Sequence, residues 1–189
     1  MISAIHGQSQ EPIELPARAD ARRVMEPEEA YLVTSLLQGV VETGTAEQAQ
    51  SLGRPIAAKT GTTNDVRDAW FVGYSTELSV AVWVGFDDTL PLGPRESGSR
   101  TAGPAFVDFM QAAHRGRPVS EFPRPAGVLT VAVDPATGLL PWPGETVTVR
   151  EEFLEGMAPE QVAPEPTAAV DRVPVTDTTS TGAFSLPAP

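Results

Sequence analysis

One lysine occurs in the 189 residues, and it opens the run Lys59-Thr60-Gly61-Thr62. A strand ending this way presents an ammonium to a cleft. It also leaves backbone groups exposed along its edge, with which an extended peptide can pair as an added strand. The Lys59 ammonium and the Thr62 hydroxyl can together hold a carboxylate. Gly61 has no side chain, so a ligand can approach the main chain closely there. The Thr62 N–H can face an oxyanion as it develops on an acyl group. Thr63 and Asn64, the only asparagine of the chain, continue the corner. These groups grip an acyl unit beside a carboxylate, but they include neither a nucleophile nor a base. Lys-Thr-Gly alone is a common tripeptide, and a lysine at a strand end is most often only solvated, so the surroundings must decide.

Few other residues offer chemistry. Ser35 lies among apolar neighbours on a helical pattern, and Ser51, Ser75 and Ser79 have no lysine or histidine near them in sequence. His6 and His114 are two lone histidines at a ragged start and a helix end, far from a metal-ligand pattern. The absence of cysteine excludes disulfides, thiolate metal sites and thiol nucleophiles. No cofactor motif is present.

The elements that must position Lys59 follow from periodicity. Residues 27 to 43 read as a helix: Pro27 suits its first turn, Glu26, Glu28 and Glu29 suit its positive end, and Ala30, Val33, Leu36, Leu37, Val40 and Val41 share one face. A polar connection, residues 44 to 55, leads to strand patterns at 54–61, 68–75 and 78–86, the last two joined tightly as an antiparallel hairpin. The third strand is apolar almost throughout, which predicts cover on both faces. Residues 87–102 read as loop, and a second helix is expected at 104–114. Helix, three strands, helix is an α+β pattern with an antiparallel sheet flanked by helices. Beyond "RGRPVSEFPRPAG" two short strands, "VLTVAVD" and "ETVTVREEF", suggest a small β segment. From 156 the chain is rich in proline, threonine and acid, lacks periodicity and is expected to be disordered.

The formal charge of −12, from 13 basic and 25 acidic residues, argues against phosphate-backbone binding, and no basic stripe is seen. No nucleic-acid partner is expected. The N-terminus lacks a basic region followed by an apolar run, and no apolar window reaches the length of a membrane helix, so neither export signal nor anchor is expected in these residues.

The stretch "GRPIAAKTGTTNDVRDAWFVGYSTELSVAVWVGFDD" closely resembles the third catalytic motif and following hairpin of class A penicillin-binding proteins, the bifunctional enzymes that polymerise and crosslink peptidoglycan. The resemblance runs upstream through "EPEEAYLVTSLLQGVVETGTAEQAQSLGRP" and downstream through "ESGSRTAGPAFVDFMQAA", covering about residues 20 to 115, with a C-terminal extension to about 155. It implies part of a penicillin-binding protein and serine β-lactamase-like transpeptidase fold at residues 1–118, a small β extension at 119–155 and a disordered tail at 156–189. It further implies serine acyl-transfer around three motifs, Ser-x-x-Lys, Ser-x-Asn and Lys-Thr-Gly. Lys59, Thr60, Gly61 and Thr62 correspond to the third. Lys59 would supply positive charge to the cleft, and Thr60 would help hold the strand. Thr62 would bind the carboxylate of a D-Ala-D-Ala stem peptide or a β-lactam, its N–H forming half of an oxyanion hole. Thr63 would border the substrate site. Asp68, Trp70 and Phe71 are expected to be structural. For the family, the location is the extracytoplasmic side of the bacterial inner membrane.

The sequence departs from the family in one respect. With lysine only at 59, the serine of Ser-x-x-Lys would have to be position 56, which is Ile56. With asparagine only at 64, Ser-x-Asn would have to start at Thr62, already part of the third motif. Both missing motifs precede Lys-Thr-Gly in the family. The expectation is therefore a C-terminal fragment of a D,D-transpeptidase, inactive alone, with Met1 to Ile5 part of an interior strand and the missing N-terminal part of the same enzyme as its partner. Such a piece should expose a sheet face and edge. Two other expectations stand beside it: a catalytically dead binding module of the cell envelope, and the product of a truncated or split gene.

Overall fold

The computed structural model describes residues 22–88 and 90–165. The expected strand at Met1 to Ile5, His6 and the tail beyond 165 lie outside them. The chain divides into two compact units, one running to Val128 and the other from Leu129.

In the first unit, helix α1 (Pro27–Thr43) starts where Pro27 needs no N–H partner, and the Glu26 N–H donates to Glu29 Oε2 at 3.4 Å. It ends at Gly44, whose N–H returns to the Val40 carbonyl. A 3-10 turn (Glu47–Leu52) follows within the expected polar connection; it buries Ala49, and one such small residue leaves no periodic trace in a polar segment. Three strands, β1 (Ala57–Thr62), β2 (Asp68–Tyr74) and β3 (Ser79–Gly85), form an antiparallel sheet in the order β1-β2-β3. The first begins later than the expected 54, because Pro55 has no N–H for a ladder, and it extends through Thr62. Residues 98–102, expected as loop, form a π-helical turn (Gly98–Ala102) running into α2 (Gly103–Ala113).

Register assigns the faces. Ala58 stands opposite Gly73, Thr60 opposite Phe71 and Thr62 opposite Ala69, and across β2 these meet Val80, Val82 and Val84. This face packs against α2 and the two turns. Its core holds Ile56, Ala58, Phe71, Ala102, Phe106 and Met110, with the Phe71 and Phe106 rings 4.6 Å apart. Gly73 is required by this packing. A Cβ there would come within 2.8 Å of Ala58 Cβ and 2.9 Å of Phe106 Cζ.

The opposite face carries Lys59, Trp70, Val72, Ala81 and Trp83. Trp70, Val72 and Trp83 are 42%, 41% and 44% exposed. The expectation that β3 is covered on both faces therefore fails: its valines turn to the core while Ser79, Ala81 and Trp83 face outward. An almost continuous apolar strand reads alike whether both faces or only one is buried. Trp83 offsets part of its exposure by donating Nε1–H to Asp68 Oδ1 at 2.9 Å.

From the last residue of the first unit onward, β4 (Val128–Val133) and β5 (Val149–Leu154) form a two-stranded sheet, tied by Thr130 Oγ1 donating to Glu152. The expected strand at 145–153 starts later, because the Glu145 carboxylate instead accepts the N–H groups of Thr146 and Val147. Order continues past 156: the Leu140 N–H donates to the Gln161 carbonyl, and the Ala163 N–H donates to the Leu140 carbonyl. No helix among the described residues is long and apolar enough to cross a membrane.

Candidate active-site edge

Strand β1 lies at one end of the sheet, so one of its edges faces β2 and the other pairs with no strand among the described residues. Which backbone groups face outward follows from one bond. The Thr63 N–H donates to the Asp68 carbonyl at 3.2 Å, so that residue pair is a hydrogen-bonded one. In an antiparallel ladder bonded and non-bonded pairs alternate. Gly61 with Trp70 and Lys59 with Val72 are then bonded pairs, and Thr62 with Ala69 and Thr60 with Phe71 are not. The N–H and C=O groups of Thr60 and Thr62 consequently point to the free edge.

The side chains at this edge are placed by neighbouring segments. Lys59 and Gly61 lie on the open face of the sheet and Thr60 and Thr62 on the packed face. The lysine nevertheless reaches the edge, where Nζ donates to the Thr60 carbonyl at 2.8 Å. Thr60 Oγ1 shares a hydrogen bond of 2.7 Å with Thr45 Oγ1, from the loop after α1. Thr62 Oγ1 accepts the Gly98 N–H at 3.0 Å, from the first residue of the π-turn. Gly61 stands opposite Trp70; a Cβ on it would come within 3.3 Å of the Trp70 Cβ. Thr63 serves the corner itself: its Oγ1 accepts the N–H groups of Arg67 and Asp68 at 2.9 and 3.0 Å. Within that corner Val66 adopts φ 53, a conformation unfavourable for a β-branched residue.

The structure thus places Lys59, Thr60 and Thr62 at one edge, with Gly61 between them and Thr63 at the turn. It leaves Ser35, Ser51 and Ser79 without a histidine partner among the bonds of the described residues. Ser75 does meet His114, Oγ to Nε2 at 2.9 Å, across 39 residues of sequence. Both are buried, and the serine also accepts the turn amides of Glu77 and Leu78, so this pair closes the hairpin. The contacts of Thr45, Gly98 and His114 carry no local sequence signal. The run Glu96 to Ala102 holds one glycine between two serines beside a helix start, and its composition reads only as loop.

Chemically, the edge offers outward N–H groups to a carbonyl or oxyanion, a cation, and a hydroxyl whose position is set by an amide. Among the described residues no three His, Cys, Asp or Glu side chains converge as a metal site would require.

Comparison with known proteins gives a consistent family. The penicillin binding protein transpeptidase domain matches residues 1–111. The chain is 37% identical over 158 residues to penicillin-binding protein 1A of Pseudomonas aeruginosa, covering 83% of this chain and 19% of that protein. It is 42% identical over 125 residues to penicillin-binding protein 1A of Rickettsia conorii, covering 66% of this chain and 16% of the relative. The fold is similar to the crystal structure of penicillin-binding protein 1A from Haemophilus influenzae, with a TM-score of 0.70 and 32% identity over 76% of this chain and 22% of that one. The chain therefore spans only about a fifth of the length of these relatives.

Proposed function

This chain belongs to the penicillin-binding protein transpeptidase domain family, and from that premise we propose that β1 is the substrate-binding strand of a peptidoglycan D,D-transpeptidase. The stem peptide, ending in D-Ala-D-Ala, lies along the free edge of β1 as an added strand. The outward N–H of Thr62 donates to the carbonyl under attack and, more strongly, to the oxyanion it becomes. The Thr62 hydroxyl donates to the terminal carboxylate. Lys59, its ammonium already over the edge, adds positive charge. Thr60 holds the strand through Thr45. A β-lactam would occupy the same edge by presenting a carboxylate beside a reactive carbonyl. The observation that carries this reading is the parity of β1: the ladder turns the main-chain groups of Thr60 and Thr62 outward on the edge that bears the lysine.

The reaction requires a serine hydroxyl to attack the penultimate D-Ala carbonyl and expel the terminal D-alanine, before an amine takes the acyl group. Neither Ser-x-x-Lys nor an independent Ser-x-Asn occurs in these 189 residues. The chain alone therefore binds and polarises but does not acylate; the serine and its base belong to polypeptide that completes the cleft, on the extracytoplasmic side of the membrane. Fluorescent penicillin and N-acetyl-D-Ala-D-Ala test this together. The penicillin should leave no covalent label on the chain. The dipeptide should shift the amide resonances of Thr60 and Thr62. Covalent labelling, or a dipeptide titration that leaves those amides unmoved, would overturn the proposal.

A further inference from the structure

Strand β1 has a ladder on one side only, since its outer edge pairs with no strand among the described residues. Two side-chain bonds hold its threonines as well. Thr60 Oγ1 meets Thr45 Oγ1 at 2.7 Å, and Thr62 Oγ1 accepts the Gly98 N–H at 3.0 Å. Thr45 and Gly98 belong to segments far apart in sequence. Gln48 joins them: its Nε2 donates to the Ser99 carbonyl at 2.6 Å and lies 3.3 Å from Ser99 Oγ. Gln48 comes shortly after Thr45, and Ser99 adjoins Gly98. The bonds close a ring that runs from Thr60 through Thr45, Gln48, Ser99 and Gly98 to Thr62.

The ring depends on two glycines. A Cβ on Gly98 would collide with the Trp70 carbonyl oxygen and lie 2.6 Å from that of Gly61, so only glycine lets the π-turn press this closely on the sheet. A Cβ on Gly103, the first residue of α2, would collide with Gln48 Nε2 and lie 2.5 Å from its Cδ. The Gln48 amide thus fills the space that a larger residue at 103 would take. The backbone does not call for glycine there, since Gly103 is right-handed helical at φ −60 and ψ −45. Both turns are firm. Ala46 and Ala49, fully buried, flank Gln48 and anchor its backbone. Ser97 Oγ accepts the Arg100 N–H at 3.2 Å, and Thr101 Oγ1 donates to Glu96 Oε2 at 2.6 Å. π-Turns are rare and occur often at functional sites.

We infer that Gln48 is a positioning residue of the substrate edge: acting through Ser99 and Gly98 on one side and Thr45 on the other, it holds Thr60 and Thr62 as a unit on the side of β1 that no ladder supports. Its own amide is engaged by Ser99, so it acts only through these neighbours. A peptide laid along the edge needs the outward groups of both threonines at their ladder spacing, and a small misplacement of either weakens the grip. This deepens the proposed function and rests on β1 being the peptide edge.

The test uses the full chain and N-acetyl-D-Ala-D-Ala, with binding and hydrogen exchange both read at amide resonances. Gln48→Ala should weaken dipeptide binding by about three- to tenfold and speed exchange of the Gly98 amide by about tenfold, the scale of one hydrogen bond. Gly103→Ala should do the same with Gln48 still present, because its methyl expels the flexible amide. That variant separates positioning from stability: alanine favours the helix more than glycine does, so α2 should not melt earlier. It also decides the matter should Gln48→Ala not fold. Combining the two substitutions should add nothing to either alone, since the bond to Ser99 is lost in both. Exchange of the Phe106 and Met110 amides in α2 should not keep pace with that of Gly98. Failure of the unaltered chain to bind the dipeptide would remove the proposed function and this inference with it. Dipeptide binding that survives Gln48→Ala or Gly103→Ala intact, Gly98 exchange indifferent to them, or exchange that rises equally in α2, would remove this inference alone.

Discussion

Ser75 and His114 lock the hairpin between β2 and β3 to the end of α2, and the strength of that lock can be worked out bond by bond. The Met110 carbonyl can only accept, so His114 Nδ1, 2.8 Å away, carries a hydrogen. In the neutral ring Nε2 then accepts the Ser75 O–H at 2.9 Å. Ser75 Oγ in turn accepts the N–H groups of Glu77 and Leu78, each at 3.2 Å. One proton and two lone pairs are all used, at side chains only 7% and 5% exposed. Ser75→Ala leaves Nε2 buried without a donor and frees two turn amides. A buried unsatisfied group costs about 1–3 kcal/mol, so a loss of about 2–3 kcal/mol is expected. His114→Leu leaves the Ser75 proton without an acceptor, at about 2 kcal/mol, while the Met110 carbonyl keeps the backbone N–H of residue 114. The double variant creates neither orphan on the other's account, so it should be less destabilised than the sum by about 1–2 kcal/mol. Urea unfolding of the four proteins, followed by tryptophan fluorescence, measures this coupling. Additivity within about 0.3 kcal/mol would refute the view of the pair as a shared, saturated network.

Two further outcomes follow from the sheet. Gly73→Ala should destabilise by about 1–3 kcal/mol, since its Cβ would press on Ala58 and Phe106 from the packed face; thermal melting checks it, and a neutral result would mean that α2 can retreat at no cost. The open face bearing Trp70, Val72 and Trp83 should drive self-association as concentration rises, and Val72→Glu, opposite Lys59 in the ladder, should reduce it; sedimentation velocity decides, and equal association of both proteins would acquit this face.

What could be read from the sequence was what local pattern encodes. The three-and-four spacing from Ala30 to Val41 located α1, and the short link after Ser75 located the hairpin. Lys59 to Thr62 stood out through composition and resemblance. Contacts between distant segments left no such mark. Gly98 meets Thr62 across 36 residues and Ser75 meets His114 across 39, and no window of periodicity spans either. The outward parity of Thr60 and Thr62 has no local mark either, and the resemblance alone pointed the Thr62 N–H to the cleft, because parity depends on which pair of the ladder is bonded, and a shift of one residue would reverse it. The exposure of Trp83 was misjudged because apolar character alone does not count the layers that cover a strand.

That parity has a consequence for what can bind. Outward amides recur on β1 only at every second residue, a spacing of roughly 7 Å. A docked chain is therefore measured in two-residue steps. Sliding it by one residue would meet the blank side of Gly61 and turn its side chains over, so under the proposed function the edge would act as a ruler for which peptide bond comes to rest against Thr62.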